Sequence, residues 1–256
     1  MKLKNLYKYS LHNYIIYIMN ICYIILTCQK NINNKVLWQK KYMFKNKTCD
    51  IYYISAKNDI KNNIYGWDTI DDYNSPIIKY IEFFKNMNLN YEYYCFIDDD
   101  TFINLKNLEL FLKTIDKYYN NKLFIGFAPT LINNDNISII DNEKIYIEKY
   151  KLTKAKGLSG GAGFVINNLL YNDIKSYIVN ENNITKLYNL SFDKEKYYGD
   201  ILIGSIIRNF NDVTTIVSEK FHMYNHKKYN SLDLNNFISY HYVNSEELFK
   251  FYSGYV

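Results

Sequence analysis

Hydrophobic residues run along this chain in short blocks, bounded mostly by Asn, Lys or Asp. Seven blocks read as strands: "ICYIILT" at 21–27, "CDIYYIS" at 49–55, "YYCFI" at 93–97, "KLFIGFA" at 122–128, "GAGFVI" at 161–166, "VTTIVS" at 213–218 and "FISYHYV" at 237–243. Several are too continuously apolar to face water on one side, the pattern of strands covered on both faces. Stretches with helical spacing lie between them. In "SPIIKYIEFFKNM" the apolar positions are Ile77, Tyr80, Ile81 and Phe84, with Ser75 placed as N-cap and Pro76 at the first helical position. "LKNLELFLKTIDKYY" repeats the spacing with Leu105, Leu108, Leu112 and Ile115, and "ILIGSIIRNF" with Ile203, Ile206, Ile207 and Phe210. The Asn-rich stretches near Asn133 and Asn180 read as loops. The alternation predicts an α/β layer architecture. No repeat or Pro/Gly-rich linker divides the chain, so residues 21–256 read as a single domain.

Composition adds limits. With 256 residues, 48% of them hydrophobic, the chain can bury a sizeable core. There are 29 Tyr against 9 Gly and 2 Pro, a bias that makes tyrosine uninformative as a mark of base stacking. The net charge of +5 is spread over scattered lysines without a basic block, which argues against a nucleic-acid partner. Cys22, Cys28, Cys49 and Cys95 form no CxxC pair and read as free thiols rather than a disulfide scaffold. Asn-x-Ser/Thr sites begin at Asn46, Asn136, Asn183 and Asn189, close to what chance supplies in a chain this rich in Asn. Residues 1–20 form a basic, then apolar, lead segment. The apolar stretch "YIIYIMNICYIILT" is broken by Asn20, is short for a bilayer span and lacks a small-residue cleavage site. Its second half, Ile21 to Thr27, is assigned to the first strand. A short membrane anchor is the alternative reading.

Candidate chemistry gathers in four places. "IDDDTF" ends a buried strand on Asp98, Asp99 and Asp100. Ligands gather beyond the carboxyl ends of strands in open α/β sheets. Adjacent carboxylates there repel one another unless a cation offsets them, and a hard divalent ion, Mg²⁺ or Mn²⁺, suits oxygen ligands and shared phosphate oxygens. Asp98 and Asp100, two apart in extended backbone, face one side. The bland alternative is an acidic turn capping the next helix. "GLSGGAGFVI" holds four of the nine glycines. Gly160, Gly161 and Gly163 permit close approach of a ligand, or simply a tight turn. Neither a Rossmann fingerprint nor a P-loop is present. In "YYGDILIG", Asp200 opens a helix, either as a cap or as a general base kept ionised by the helix N-terminus. His241 in "ISYHYV" is a packed histidine or a nitrogen ligand; beside carboxylates, nitrogen favours Mn²⁺ over Ca²⁺.

Together these stretches resemble the β1,3-glycosyltransferases of the Fringe and core-1 galactosyltransferase type. "IDDDTF", "SGGAGFVI", "GDILIG", "KFH" at Lys220 to His222 and "ISYHYV" stand in that family's order. "ICYIILTCQKN" is similar to its first strand, and "VLW" ending at Trp38 to its Thr-Trp. The resemblance covers residues 21 to 256. It implies a GT-A-type fold with a mixed, mostly parallel sheet flanked by helices. It also implies a UDP-sugar donor, Mn²⁺ or Mg²⁺, inversion at the anomeric carbon, and a β1,3 linkage to a hydroxyl of a glycan or glycoprotein. By this resemblance Asp100 and His241 hold the metal, with His222 the competing imidazole. Asp98 and Asp99 lie against ribose and metal waters, Gly160, Gly161 and Gly163 line the sugars, and Asp200 is the catalytic base. The chain departs from the family at Gly199, where Asp or Glu is frequent, at Ser75-Pro76, and in lacking paired cysteines and a clear anchor. Family members work in the secretory pathway at Golgi membranes; the departures raise a soluble cytoplasmic form as the other expectation. The reading from another class is a catalytically inactive sugar-binding or chaperone-like relative.

Overall fold

The computed structural model describes residues 10–11, 14–15, 19–45, 49–71, 76–127, 137–140, 143–148, 158–183, 185–186, 199–224 and 234–255. Ser75, Gly157, the glycosylation motifs' Asn46, Asn136 and Asn189, and most of the lead segment lie outside them.

The predicted alternation is observed. Among the described residues nine strands form one mixed sheet: β1 Ile21–Leu26, β2 Asp50–Ser55, β3 Ile64–Gly66, β4 Tyr93–Asp98, β6 Lys122–Gly126, β7 Ile137–Ile140, β8 Glu143–Glu148, β9 Phe164–Asn167 and β10 Val213–Ser218. Their spatial order is β3-β2-β1-β4-β9-β6-β10-β8-β7. From β3 to β4 the neighbours run parallel; β9 is reversed between β4 and β6, and β10 is parallel to β6. A second sheet, in the order β11-β12-β5, joins Phe221–His222 (β11), Ser239–Tyr240 (β12) and Phe102–Ile103 (β5).

The period-2 alternation of strand side chains splits the core in two. Cys22, Ile24, Tyr94, Phe96, Phe124 and Phe164 face one side, with α1 (Pro76–Asn86), α3 (Asn168–Val179) and α4 (Gly199–Ile207) packed on them. Tyr23, Ile25, Tyr93, Cys95, Ile97 and Ile125 face the other, under α2 (Leu105–Thr114) and α5 (Glu246–Tyr252). Burial on both faces is why these strands read as unbroken apolar runs. Cys22 and Cys95 are buried free thiols. Among the described residues, no helix is long and apolar enough to cross a membrane.

Three elements differ from the sequence expectation. Residues 29–43 form a run of helical turns, two of them π turns, Ile32–Val36 and Gln39–Met43. Asn168–Val179 is a full helix, capped by Asn167, whose side chain accepts from the Leu170 N–H. The strand expected over 237–243 contracts to Ser239–Tyr240, because Tyr242 takes a left-handed backbone, φ 59°, that no strand accommodates.

Candidate active site

The site is built where β1 and β4 end. The two strands run in register to Leu26 opposite Asp98. Beyond that point β4 turns, with the Thr101 N–H donating to the Asp98 carbonyl, 3.1 Å. The three carboxylates part ways in this turn.

Asp98 and Asp100 project toward His241. The imidazole Nε2 lies 3.2 Å from Asp100 Oδ1 and 3.9 Å from Asp98 Oδ2. Among the described residues these three make the group able to hold a metal ion, one ligand atom each, all within 4.8 Å of one another. Two carboxylate oxygens and one imidazole nitrogen suit Mn²⁺ or a similar divalent ion. His222 is elsewhere: its ring stacks on Tyr240, with centroids 4.7 Å apart.

Asp99 points the other way and is buried. Its Oδ2 accepts from Thr27 Oγ1 at 2.6 Å and from Asn31 Nδ2 at 2.8 Å, and its Oδ1 lies 3.3 Å from Lys35 Nζ. Lys35 also reaches Asp100 Oδ2, 3.2 Å. Gln39 Nε2 donates to the carbonyls of Thr101 and Asp98, 3.1 and 3.3 Å, from beneath the turn. Sequence reasoning missed Asn31, Lys35 and Gln39. Their signal is a polar residue every fourth position, one helical face, beside buried Val36 and Met43.

The glycine loop closes the site. Thr101 Oγ1 donates to the Gly161 carbonyl (2.7 Å), and Ser239 Oγ to the Ala162 carbonyl. Gly163 has φ 84°, a conformation that favours glycine. A β-carbon on Gly161 would collide with the His241 ring, and one on Gly160 would come within 2.9 Å of Asp200 Cβ. Asp200, in the first turn of α4, accepts from the Gly160 N–H at 2.9 Å. Consecutive glycines thus touch His241 and Asp200. Gly199, where the resembling family often has an acid, has no room for a side chain, since a β-carbon would run into the Tyr80 ring.

The electrostatics follow from this crowding. Burial, then Asp100, Asp99 and Asp200, push the Asp98 carboxyl up to about 7, with His241 working against them. About a third of the side chain, 35%, still meets solvent, and water weakens the burial part of that shift. Burial also opposes the charge of Asp100, but the hydrogen bond and charge of His241, and then Lys35, outweigh it and hold Asp100 below its ordinary value. His241 is the counterpart: burial lowers it, Asp100 and Asp98 outweigh burial, and its net shift is upward.

A family model described as Fringe-like matches residues 39–253. No curated protein matches the chain. Among solved structures, Staphylococcus aureus TarS 1-349 in complex with UDP-GlcNAc is similar at 16% identity and a TM-score of 0.44, over 78% of this chain and 56% of that one. The apo-form glycosyltransferase GlyE of Streptococcus pneumoniae TIGR4 gives 12% and 0.46, over 91% and 59%. The galactosyltransferase LgtC, in complex with donor and acceptor sugar analogues, gives 12% and 0.47, over 91% and 95%. The chain therefore spans less than two thirds of the length of TarS 1-349 and GlyE. At these scores the structural similarities add no argument to the family match.

Proposed function

The chain belongs to the Fringe-like family of glycosyltransferases, and from that premise we propose that it is a metal-dependent, inverting enzyme. It moves a sugar from a UDP-sugar to a hydroxyl of a glycan or glycoprotein, forming a β1,3 linkage within the GT-A fold that the family implies. One observation carries the reading: the glycine pair Gly160–Gly161 joins Asp200 on one side to the Asp98–Asp100–His241 group on the other.

In this mechanism Asp200 accepts the proton of the acceptor hydroxyl, and the freed oxygen attacks the anomeric carbon from the face opposite the nucleotide. The bond to the diphosphate oxygen breaks and UDP leaves. Asp98, Asp100 and His241 would hold Mn²⁺ or Mg²⁺, which when bound offsets charge gathering on the leaving diphosphate. Asp99, fixed by Thr27, Asn31 and Lys35, supports the turn. Gly160 and Gly161, which would line the sugars on this reading, also leave the room that Asp200 and His241 occupy, and Gly163 shapes the loop. Family membership makes the secretory pathway the expected place of work.

The test is Asp200→Asn assayed with a panel of UDP-sugars. Transfer and donor hydrolysis should fall by roughly two to four orders of magnitude, while calorimetry shows UDP binding within error of wild type. Full activity in Asp200→Asn overturns the assignment of the base. Metal-dependent UDP binding by the wild type, without hydrolysis or transfer to any acceptor, would instead favour a non-catalytic sugar-binding relative.

A further inference from the structure

Asp100 stands between the candidate metal group and an ammonium. Its Oδ1 faces His241 Nε2 at 3.2 Å, within the group that can hold a metal. Its Oδ2 lies 3.2 Å from Lys35 Nζ. Lys35 is itself held, because the same ammonium lies 3.3 Å from Asp99 Oδ1 and only 20% of its side chain is exposed. Asp99 cannot easily yield, being fixed by Thr27 and Asn31. The lysine thus sits on the oxygen that a second metal–carboxylate contact from Asp100 would need.

That arrangement bears on which ion the site accepts. Ca²⁺ takes six to eight oxygens, with carboxylates often binding through both. Smaller ions prefer octahedral shells, and a mixed nitrogen and oxygen set favours Mn²⁺. Resting on the reading of Asp98, Asp100 and His241 as metal ligands, we propose that Lys35 is a specificity-determining residue: it keeps Asp100 a one-oxygen ligand and so selects a small octahedral divalent ion against Ca²⁺. Lys35 touches Asp100, one of the proposed metal ligands. Its effect is therefore read in ion binding rather than turnover.

The experiment uses the full chain without nucleotide. Mn²⁺ binding is followed by the electron paramagnetic resonance signal of the free ion, and Ca²⁺ is titrated in as competitor. Lys35→Met should let Ca²⁺ compete roughly tenfold better relative to Mn²⁺, the scale of a lost outer contact at a metal site. Lys35→Gln serves the same purpose should the Met variant not fold. Lys35→Arg keeps a cation against both carboxylates and should hold the wild-type ratio. An unchanged ratio in Lys35→Met, with Mn²⁺ still bound, overturns the role of Lys35 and leaves the metal site standing. So does a shift in Lys35→Arg as large as that in Lys35→Met, which would point to packing instead of charge. A wild type that binds neither ion overturns the metal site itself, and this inference with it.

Discussion

Gly161 leaves its neighbour no slack, because any β-carbon would intrude on the imidazole of His241. Gly161→Ala should therefore turn that ring away from Asp100 and weaken Mn²⁺ binding by roughly 10- to 100-fold, measured by the same resonance titration, while far-ultraviolet circular dichroism stays native. Unimpaired binding would mean that His241 is not a ligand. The conspicuous residues, Asp98 to Asp100, the glycines, Asp200 and His241, were legible because each is an unusual type at an element's end. Their support was not. Lys35 and Gln39 look like ordinary surface residues of a lysine-rich chain, and only their spacing on one helical face distinguishes them. Nor could the sequence explain Gly199: its cause is the ring of Tyr80, 119 positions earlier in the chain.

The connection leaving β1 depends on a second ion pair. Lys79 of α1 is 3% exposed, and its ammonium lies 2.7 Å from Asp71 Oδ1 and donates to the Thr27 carbonyl at 3.0 Å. Asp71 in turn accepts from the Gln29 N–H at 2.7 Å. Helix, loop and strand end are thereby tied under the residue whose hydroxyl holds Asp99. Lys79→Met strands Asp71, which is partly open to solvent, so the cost should be about 2–3 kcal/mol, below that of breaking a fully buried pair. Urea unfolding measures it; a loss under about 0.5 kcal/mol, the range of ordinary surface changes, would show the pair to be idle. Helices α1, α2 and α4 were readable from apolar spacing, and the long strands from their continuous runs. The segment at 29–43 was not, since π turns blur the 3.6-residue period. In the last strand the alternation continues through Tyr242, and nothing local announces its left-handed turn.

Across the whole molecule, acid should act through His222 as well as through the carboxylates. Burial holds this imidazole down to about 4, against about 6.5 in an unfolded chain. The unfolded state then binds more protons between these values. Its contribution to stability is full above about 6.5 and is lost as pH falls toward 4. Replacing it with Phe, which can keep the stack on Tyr240, should flatten the fall in melting temperature between pH 7 and pH 5; parallel curves for the two proteins would count against this role. The two-sided core around a mixed sheet was foreseeable from binary pattern alone. What the pattern could not supply was the closure of distant segments upon one another.

The small sheet performs that closure. β5 follows the acidic turn directly, β12 precedes His241 directly, and Phe102 pairs with Tyr240; the Val243 N–H adds a bond to the Asp100 carbonyl, 2.8 Å. Phe102, Ile103, Phe221 and Tyr240 of this clasp are buried in the same hydrophobic layer as Tyr23, Ile25 and Ile97, so the pairing that brings the imidazole to the acids is also part of the core. A pairing only two residues long per strand thus fixes where the acids and the imidazole meet, and a lesion there would strike the chemistry and the core together.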